Sequence, residues 1–264
     1  MSTYHYVTLD PTGNLTCLVT DPVDPADQQI LTRKLLEQCE QVAYLVPPEK
    51  PEAVAGIRLM GGEFCGNAAM ASAAWLVRDE IGQGEEKALL LEVSGANEPV
   101  LCTVRKNADG FEGTVNMPGI PDVKMKTFFG IPFTAVRMEG ITHLICEDRT
   151  FTEDEAEKLL RKIAEQMPDE AVGLLQWDSA ARWLVPLVYV RGSGSLVWEH
   201  GCGSGSAAVG AAEALRSESA EITVCVNQPG GIIRVTAGAE NGRITGLSIS
   251  GSVLTGTEKS IQLS

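Results

Sequence analysis

Leu59-Met60-Gly61-Gly62-Glu63-Phe64-Cys65-Gly66-Asn67-Ala68 and Trp198-Glu199-His200-Gly201-Cys202-Gly203-Ser204-Gly205-Ser206-Ala207-Ala208 follow one plan. Each reads as a strand end, a glycine-bearing turn, a Cys-Gly pair and an alanine-rich helix. Alanine is the strongest helix former, which predicts helices over Gly66–Arg78 and Gly203–Arg216. One such unit in each half of the chain predicts two similar domains related by approximate twofold symmetry, with the two cysteines facing a shared cleft.

Working outward, short β-like runs flank both units. In the first half they are Tyr4–Leu9, Leu15–Val19, Gln41–Leu45, Gly56–Met60, Leu89–Val93, Val100–Arg105 and Glu112–Asn116. In the second they are Phe133–Arg137, His143–Cys146, Val185–Val190, Ser195–Trp198, Ile222–Val226, Ile232–Thr236 and Arg243–Ser248. Turn residues such as Pro11-Thr12-Gly13-Asn14 and Pro229-Gly230-Gly231 punctuate them. Two further helices are expected. Asp27–Cys39 carries Ile30, Leu31, Leu35 and Leu36 at helical spacing. Thr152-Glu153-Asp154-Glu155 has the form of a capping box and opens a helix to about Gln166, stopped by Pro168. Asn116-Met117-Pro118-Gly119-Ile120-Pro121 is the expected link between the halves. The reading is a strand-rich α/β (α+β) protein. Residues 1–117 with a returning tail, 256–264, form the first domain and residues 118–255 the second, each a curved sheet around a central helix.

The 264 residues carry a formal net charge of −14. A surface of that sign repels nucleic acid and anionic membranes, so neither is an expected partner. Hydrophobic residues make up 44% and charged residues 21%, the balance of a soluble globular protein. No apolar run is long enough for a transmembrane helix, and Met1–Asp10 lacks the basic and apolar segments of an export signal. The seven cysteines have no CxxC spacing and the three histidines no HxH or HExxH spacing. They are therefore expected as thiols in a reducing cytoplasm, with no dedicated metal site. Cys17, Cys39, Cys102, Cys146 and Cys225 sit in apolar surroundings and are expected to be packing residues.

Cys65 and Cys202 have a different context. A helix N-terminus presents backbone N–H groups without intrahelical partners and a partial positive charge, which favours a thiolate and lowers its pKa. The glycine that follows each cysteine lets a ligand approach the backbone. The amides at Gly66, Asn67, Gly203 and Ser204 could then hold a carboxylate. With an amino-acid carboxylate so held, one thiolate removes the Cα proton and the other thiol protonates the opposite face. The same amides stabilise the enolate-like charge that develops. Inversion at one carbon needs two groups on two faces, and this sequence offers a matched pair. Thiols carry both proton transfers, so no cofactor, pyridoxal phosphate included, is expected.

These segments resemble the diaminopimelate epimerase-like fold family, in order and over nearly the whole chain. The resemblance lies in Thr12-Gly13-Asn14, Glu63-Phe64-Cys65-Gly66-Asn67-Ala68, Val115-Asn116-Met117 and Cys202-Gly203-Ser204-Gly205. It implies catalysis by Cys65 and Cys202 and substrate contacts from Asn14. In diaminopimelate epimerases a Glu-Arg-Gly segment binds the distal carboxylate of the substrate, but the matching positions here are Ser193 and Gly194. The family's Gly-Asn-Pro-His is here Gly140-Ile141-Thr142-His143, which keeps only the histidine. A substrate with a distal carboxylate and amine would lose its partners.

A narrower resemblance is to the histidine racemases of staphylopine-type metallophore biosynthesis, which make D-histidine for a nicotianamine-like chelator. It rests on Pro11-Thr12-Gly13-Asn14-Leu15-Thr16, Cys39-Glu40-Gln41-Val42, Gly62–Ala68, Ser195-Leu196-Val197-Trp198-Glu199 and Gln228-Pro229-Gly230-Gly231. It implies a functional role for Glu40 and makes Glu199 and His143 candidates to contact the substrate's ammonium or side chain. The expectation is a cofactor-independent amino-acid racemase, acting on histidine, with a homodimer compatible with the sequence. Diaminopimelate, proline or hydroxyproline epimerisation on the same fold remain alternatives, as does a non-catalytic amino-acid-binding protein.

Overall fold

Both alanine-rich segments are helices, and each is enclosed by strands of its own half. The computed structural model describes residues 2–192 and 194–263. The chain divides into two units, residues 1–118 with 250–264, and residues 119–249.

Unit 1 contains β1 (Ser2–Pro11), β2 (Thr16–Val19), α1 (Pro25–Leu35), β3 (Gln41–Val46), β4 (Ala55–Leu59), α2 (Gly66–Val77), β5 (Glu86–Val93), β6 (Val100–Asn107) and β7 (Gly110–Asn116). Two strand–helix–strand crossovers, β2-α1-β3 and β4-α2-β5, make parallel pairs. The hairpins make antiparallel ones. The strands run in chain order from β1 to β7 and continue to the last strand of the chain, which also pairs with β1, from Pro11 with Val253 to Ser2 with Leu263. The sheet of unit 1 thus closes on itself and leaves no free edge. α2 packs against β1, β4, β5, β6 and β7, and every residue from Gly66 to Trp75 is buried. A helix apolar all round is a core helix, and small side chains let the strands come close. At Gly113 on β7, an added Cβ would lie 2.7 Å from Met70 Cβ.

Unit 2 contains β8 (Asp122–Phe128), β9 (Ile131–Met138), β10 (Ile141–Glu147), α3 (Glu153–Ala164), β11 (Ala171–Asp178), β12 (Trp183–Val190), β13 (Ser195–Trp198), α4 (Gly203–Arg216), β14 (Glu221–Gln228), β15 (Gly231–Glu240) and the start of β16 (Arg243–Leu263). The order is β16-β15-β14-β12-β11-β10-β9-β8, with β13 on β12. The crossover β10-α3-β11 is again parallel. α4 takes the place that α2 has in unit 1, packed against β9, β10, β11, β14 and β15. Its Gly210 sits so near β15 that a Cβ there would meet Val235 Cγ1 at 2.3 Å. Around α3, the buried Ala156, Leu160 and Ile163 join Phe133, Leu144, Leu174 and Leu187 in a core, each large side chain contributing about 1.5–3 kcal/mol by leaving water.

The architecture is mixed α/β, rich in strand with few helices. The helix of the capping box opens as expected, with Thr152 Oγ1 accepting from the Glu155 amide and the Glu155 carboxylate accepting from the Thr152 amide. Other boundaries differ from the sequence expectation. α1 begins at Pro25, because Asp24 caps it and proline suits the first helical position. Strands form at Asp122–Phe128 and Ala171–Asp178, where none was expected. The first is an exposed edge with no alternation to read, and the second is a continuous apolar run buried on both faces. The segment that joins unit 1 begins at Ser250 rather than at residue 256, because its pairing with β1 already includes Val253. Among the described residues, no helix is long and apolar enough to cross a membrane.

Candidate active site

The two cysteines sit at the same position of their helices. Cys65 is the N-cap of α2, extended at φ −133° and ψ 112°, and its Sγ accepts from the Ala68 amide at 3.4 Å. Cys202 is the N-cap of α4 at φ −97° and ψ 104°, and its Sγ accepts from the Gly205 amide at 3.2 Å. The cap position is usually held by Ser, Thr, Asp or Asn; a thiol there accepts the third helical amide in the same way. The amides at Gly66 and Asn67, and at Gly203 and Ser204, belong to the first turns of α2 and α4.

In unit 1 the approach to Cys65 is braced from the turn after β5. Ser94 Oγ accepts from the Leu59 amide at 2.9 Å and donates to the Glu63 carbonyl at 2.8 Å. Gly95, at φ +76°, lies so close that a Cβ would come within 2.3 Å of the Phe64 nitrogen. Neither residue stood out in the sequence. Asn14 and Glu40 lie at the same end of the sheet, since β4 leaves where β3 enters and the Met60 amide donates to the Val42 carbonyl. The turn that delivers Asn14 has positive φ at Thr12 (54°) and Gly13 (82°) and is pinned by the Gly13 amide donating to Asp10 Oδ1. Asn14 Nδ2 donates to Glu40 Oε2 at 3.0 Å. Buried Gln41 donates from Nε2 to Asn14 Oδ1 at 2.5 Å and to Thr16 Oγ1 at 2.8 Å. Asn14 is therefore held at both ends of its amide, with Glu40 as one partner.

In unit 2 the corresponding brace comes from the end of β14. Gln228 Oε1 accepts from the Cys202 amide at 2.7 Å, and its Nε2 donates to Ser206 Oγ at 2.8 Å. The Gly230 amide donates to the His200 carbonyl at 2.7 Å. Cys202 is 2% exposed. Burial, then the Glu199 carboxylate hydrogen-bonded beside it, push its thiol well above the ordinary value; the Gly205 amide and the Ser204 hydroxyl act in the opposite sense. The expectation that a helix start lowers a cysteine's pKa is thus overridden at Cys202. Dehydration and a like charge penalise the thiolate by more than the helix end favours it.

His143 is fully buried on β10, with its ring inside unit 2. Its Nε2 lies 2.9 Å from Ser204 Oγ, and Ser204 Oγ lies 3.7 Å from Cys202 Sγ. Burial depresses the imidazole's pKa to about 3, so the ring is neutral. Ser193 lies outside the described residues. Of the other cysteines, Cys17, Cys102 and Cys146 are buried and Cys39 and Cys225 half-buried; burial alone lifts the Cys102 thiol to about 12.

A family model described as the histidine racemase CntK N-terminal domain matches residues 3–260. The histidine racemase of Staphylococcus aureus is 27% identical over 240 residues, 86% of each chain. That of Fusobacterium nucleatum is 27% identical over 216 residues, 78% of each chain. Among solved structures, a hydroxyproline epimerase from Agrobacterium vitis with bound trans-4-hydroxy-L-proline superposes with a TM-score of 0.73 at 14% identity, covering 98% of this chain and 92% of its own. A predicted epimerase from Pseudomonas aeruginosa does so with a TM-score of 0.71 at 18% identity, covering all of both chains. At those identities the structural matches establish the fold.

Proposed function

From a chain that belongs to the histidine racemase CntK N-terminal domain family and is an amino-acid racemase, we propose a narrower activity: cofactor-independent interconversion of L- and D-histidine by Cys65 and Cys202. The observation that carries the proposal is the matched pair of cysteine N-caps, each with its Sγ on the third amide of a buried helix.

The reaction balances without an oxidant or a co-reactant. One cysteine, as thiolate, takes the Cα proton; the C–H bond breaks and an S–H bond forms. The electron pair passes into the carboxylate as an enediolate, which the first-turn amides at Gly66, Asn67, Gly203 and Ser204 stabilise. The other cysteine gives its thiol proton to the opposite face and becomes the thiolate. Each turnover therefore leaves the two protonation states exchanged, and the reverse reaction starts from that exchanged state. Glu199 bonds the Cys202 sulfur and is proposed to accept its proton when Cys202 must act as base. Asn14 and Glu40 form a donor–acceptor couple suited to the substrate's ammonium and imidazole. The product on this reading, D-histidine, would supply assembly of a staphylopine-type chelator.

The test is a panel of L-histidine, L-proline, trans-4-hydroxy-L-proline and diaminopimelate in deuterated water, without pyridoxal phosphate. Cα deuterium is read by mass spectrometry and D-product by chiral separation. Histidine should exchange and invert fastest. Exchange confined to proline or hydroxyproline would replace the substrate. Tight histidine binding with no exchange would make the protein a binding module.

A further inference from the structure

We infer that His143 is a positioning residue for Cys202: its Nε2–H holds the Ser204 hydroxyl so that the serine proton is directed at the Cys202 sulfur. The inference rests on the two-thiol reading for its role in turnover. The hydrogen-bond relay itself is a property of unit 2 that can be measured without catalysis.

The argument begins with the ring's other nitrogen. His143 stands opposite Gly173 on β11 and Val136 on β9. Its Nδ1 is buried and has no hydrogen-bond partner among the described residues. The backbone presses on that edge, for a Cβ at position 173 would lie 2.2 Å from Nδ1. The neutral ring carries one proton. On Nδ1 it would be a buried donor without an acceptor, the rarer and costlier arrangement. On Nε2 it meets Ser204 Oγ at 2.9 Å. The second placement leaves only a bare lone pair at Nδ1 and makes the serine oxygen an acceptor from histidine.

Ser204 then has its own hydrogen to place. Among the described residues, Cys202 Sγ, at 3.7 Å, is its remaining hydrogen-bond partner. A hydroxyl turned to sulfur stabilises the thiolate, in the same sense as the Gly205 amide and against burial and the Glu199 carboxylate. Among the described residues, the groups that act on that sulfur are the charged Glu199 from the segment before α4 and the neutral Ser204 and Gly205 from α4 itself. Buried Leu175 of β11 approaches from the apolar side, 3.1 Å from where a Cβ on Gly205 would stand. Because burial disfavours the charged imidazole, the ring acts by orientation and not by charge.

The experiment is iodoacetamide alkylation of the intact protein as a function of pH, with Cys202 and Cys65 peptides followed separately. Ser204→Ala should move the Cys202 profile upward by roughly one pH unit, the scale of one lost hydrogen bond to a thiolate, and Ser204→Thr should restore it. His143→Leu should move it in the same direction by less, and should add nothing in the Ser204→Ala background. The Cys65 profile should stay put throughout, whereas a general loosening would move both. Equal effects of His143→Leu with and without the Ser204 hydroxyl, in proteins shown folded by thermal melt, would overturn the relay. So would an unmoved Cys202 profile in folded Ser204→Ala. Should His143→Leu fail to fold, the Ser204 pair and a His143→Gln variant, which keeps an amide donor, decide the matter. Absence of racemisation with every amino acid would sink the proposed function while leaving these profiles readable.

Discussion

Cys65 and Cys202 fill the same cap position, accept the same third amide and precede helices built from the same small residues. Their surroundings are unequal. Cys65 is half-exposed, and the brace behind it, Ser94, lies in an exposed turn. Cys202 is buried, has Glu199 and Ser204 at its sulfur, and is braced by a glutamine that is itself buried. The cap alone therefore does not set the protonation state; dehydration and a neighbouring carboxylate outweigh it in unit 2. On the two-thiol reading, one thiol and one thiolate are needed at the same moment. An asymmetric environment is a direct way to keep both thiols from ionising together. On the two-thiol reading Cys202 rests as the thiol.

The largest effect that would break the pairing comes from removing either sulfur. Cys65→Ser and Cys202→Ser should each lower racemisation by on the order of 10³-fold or more, because a hydroxyl is a far weaker acid and is not ionised at neutral pH. Each variant should retain slow Cα deuterium exchange with one enantiomer, and the two should prefer opposite enantiomers. Cys→Ser changes little volume, so thermal melts should remain near the parent. A folded Cys202→Ser enzyme racemising at the parent rate would end the two-thiol mechanism.

A smaller effect sharpens the asymmetry itself. Glu199 raises the Cys202 pKa because a carboxylate beside sulfur disfavours a second negative charge. A neutral amide relieves that penalty, so Glu199→Gln should move Cys202 alkylation to lower pH. Racemisation should nonetheless fall, by about 10²-fold, if the carboxylate accepts the thiol proton during turnover. A variant that alkylates as the parent does and shows only a higher KM would make Glu199 a substrate contact instead.

Much of this was legible in the sequence because the features are local. An N-cap followed by glycine and alanines announces a helix start, and finding it twice announced the repeated architecture. The chemistry proposed for Cys65 and Cys202 rests on that placement. Less legible were the parts made by residues distant in the chain. Ser94 braces a turn 31 and 35 residues before it, and Gln228 reaches back 26 residues to the Cys202 amide. Neither contact has a local signature. His143 was visible as a residue, but its burial depends on the pairing of β10 with β9 and β11. The raised Cys202 pKa was not foreseen either, since a helix end is read from sequence more readily than the water excluded from it.

The smallest effects compare the two braces. Gln228→Ala leaves the Cys202 amide without its acceptor in a dry interior and removes the donor to Ser206 Oγ, which still donates to the Cys202 carbonyl; this should lower stability by about 1–3 kcal/mol. Ser94→Ala removes two hydrogen bonds of similar length, but one of them lies where water can replace the hydroxyl. Its penalty should be smaller, about 1 kcal/mol or less, measured as the denaturant midpoint at constant slope. The consequences for the thiols should also separate. Ser94→Ala should alter the alkylation rate of Cys65 and spare Cys202, because the hydroxyl connects the end of β4 to the Glu63 carbonyl two residues before Cys65. Gln228→Ala should do the reverse, because its bond is to the Cys202 backbone itself. If Ser94→Ala proved the more destabilising, or if each change disturbed both cysteines equally, the braces would not be the local supports that their hydrogen bonds describe. The asymmetry between the two thiols would then have to arise from their sulfur contacts alone.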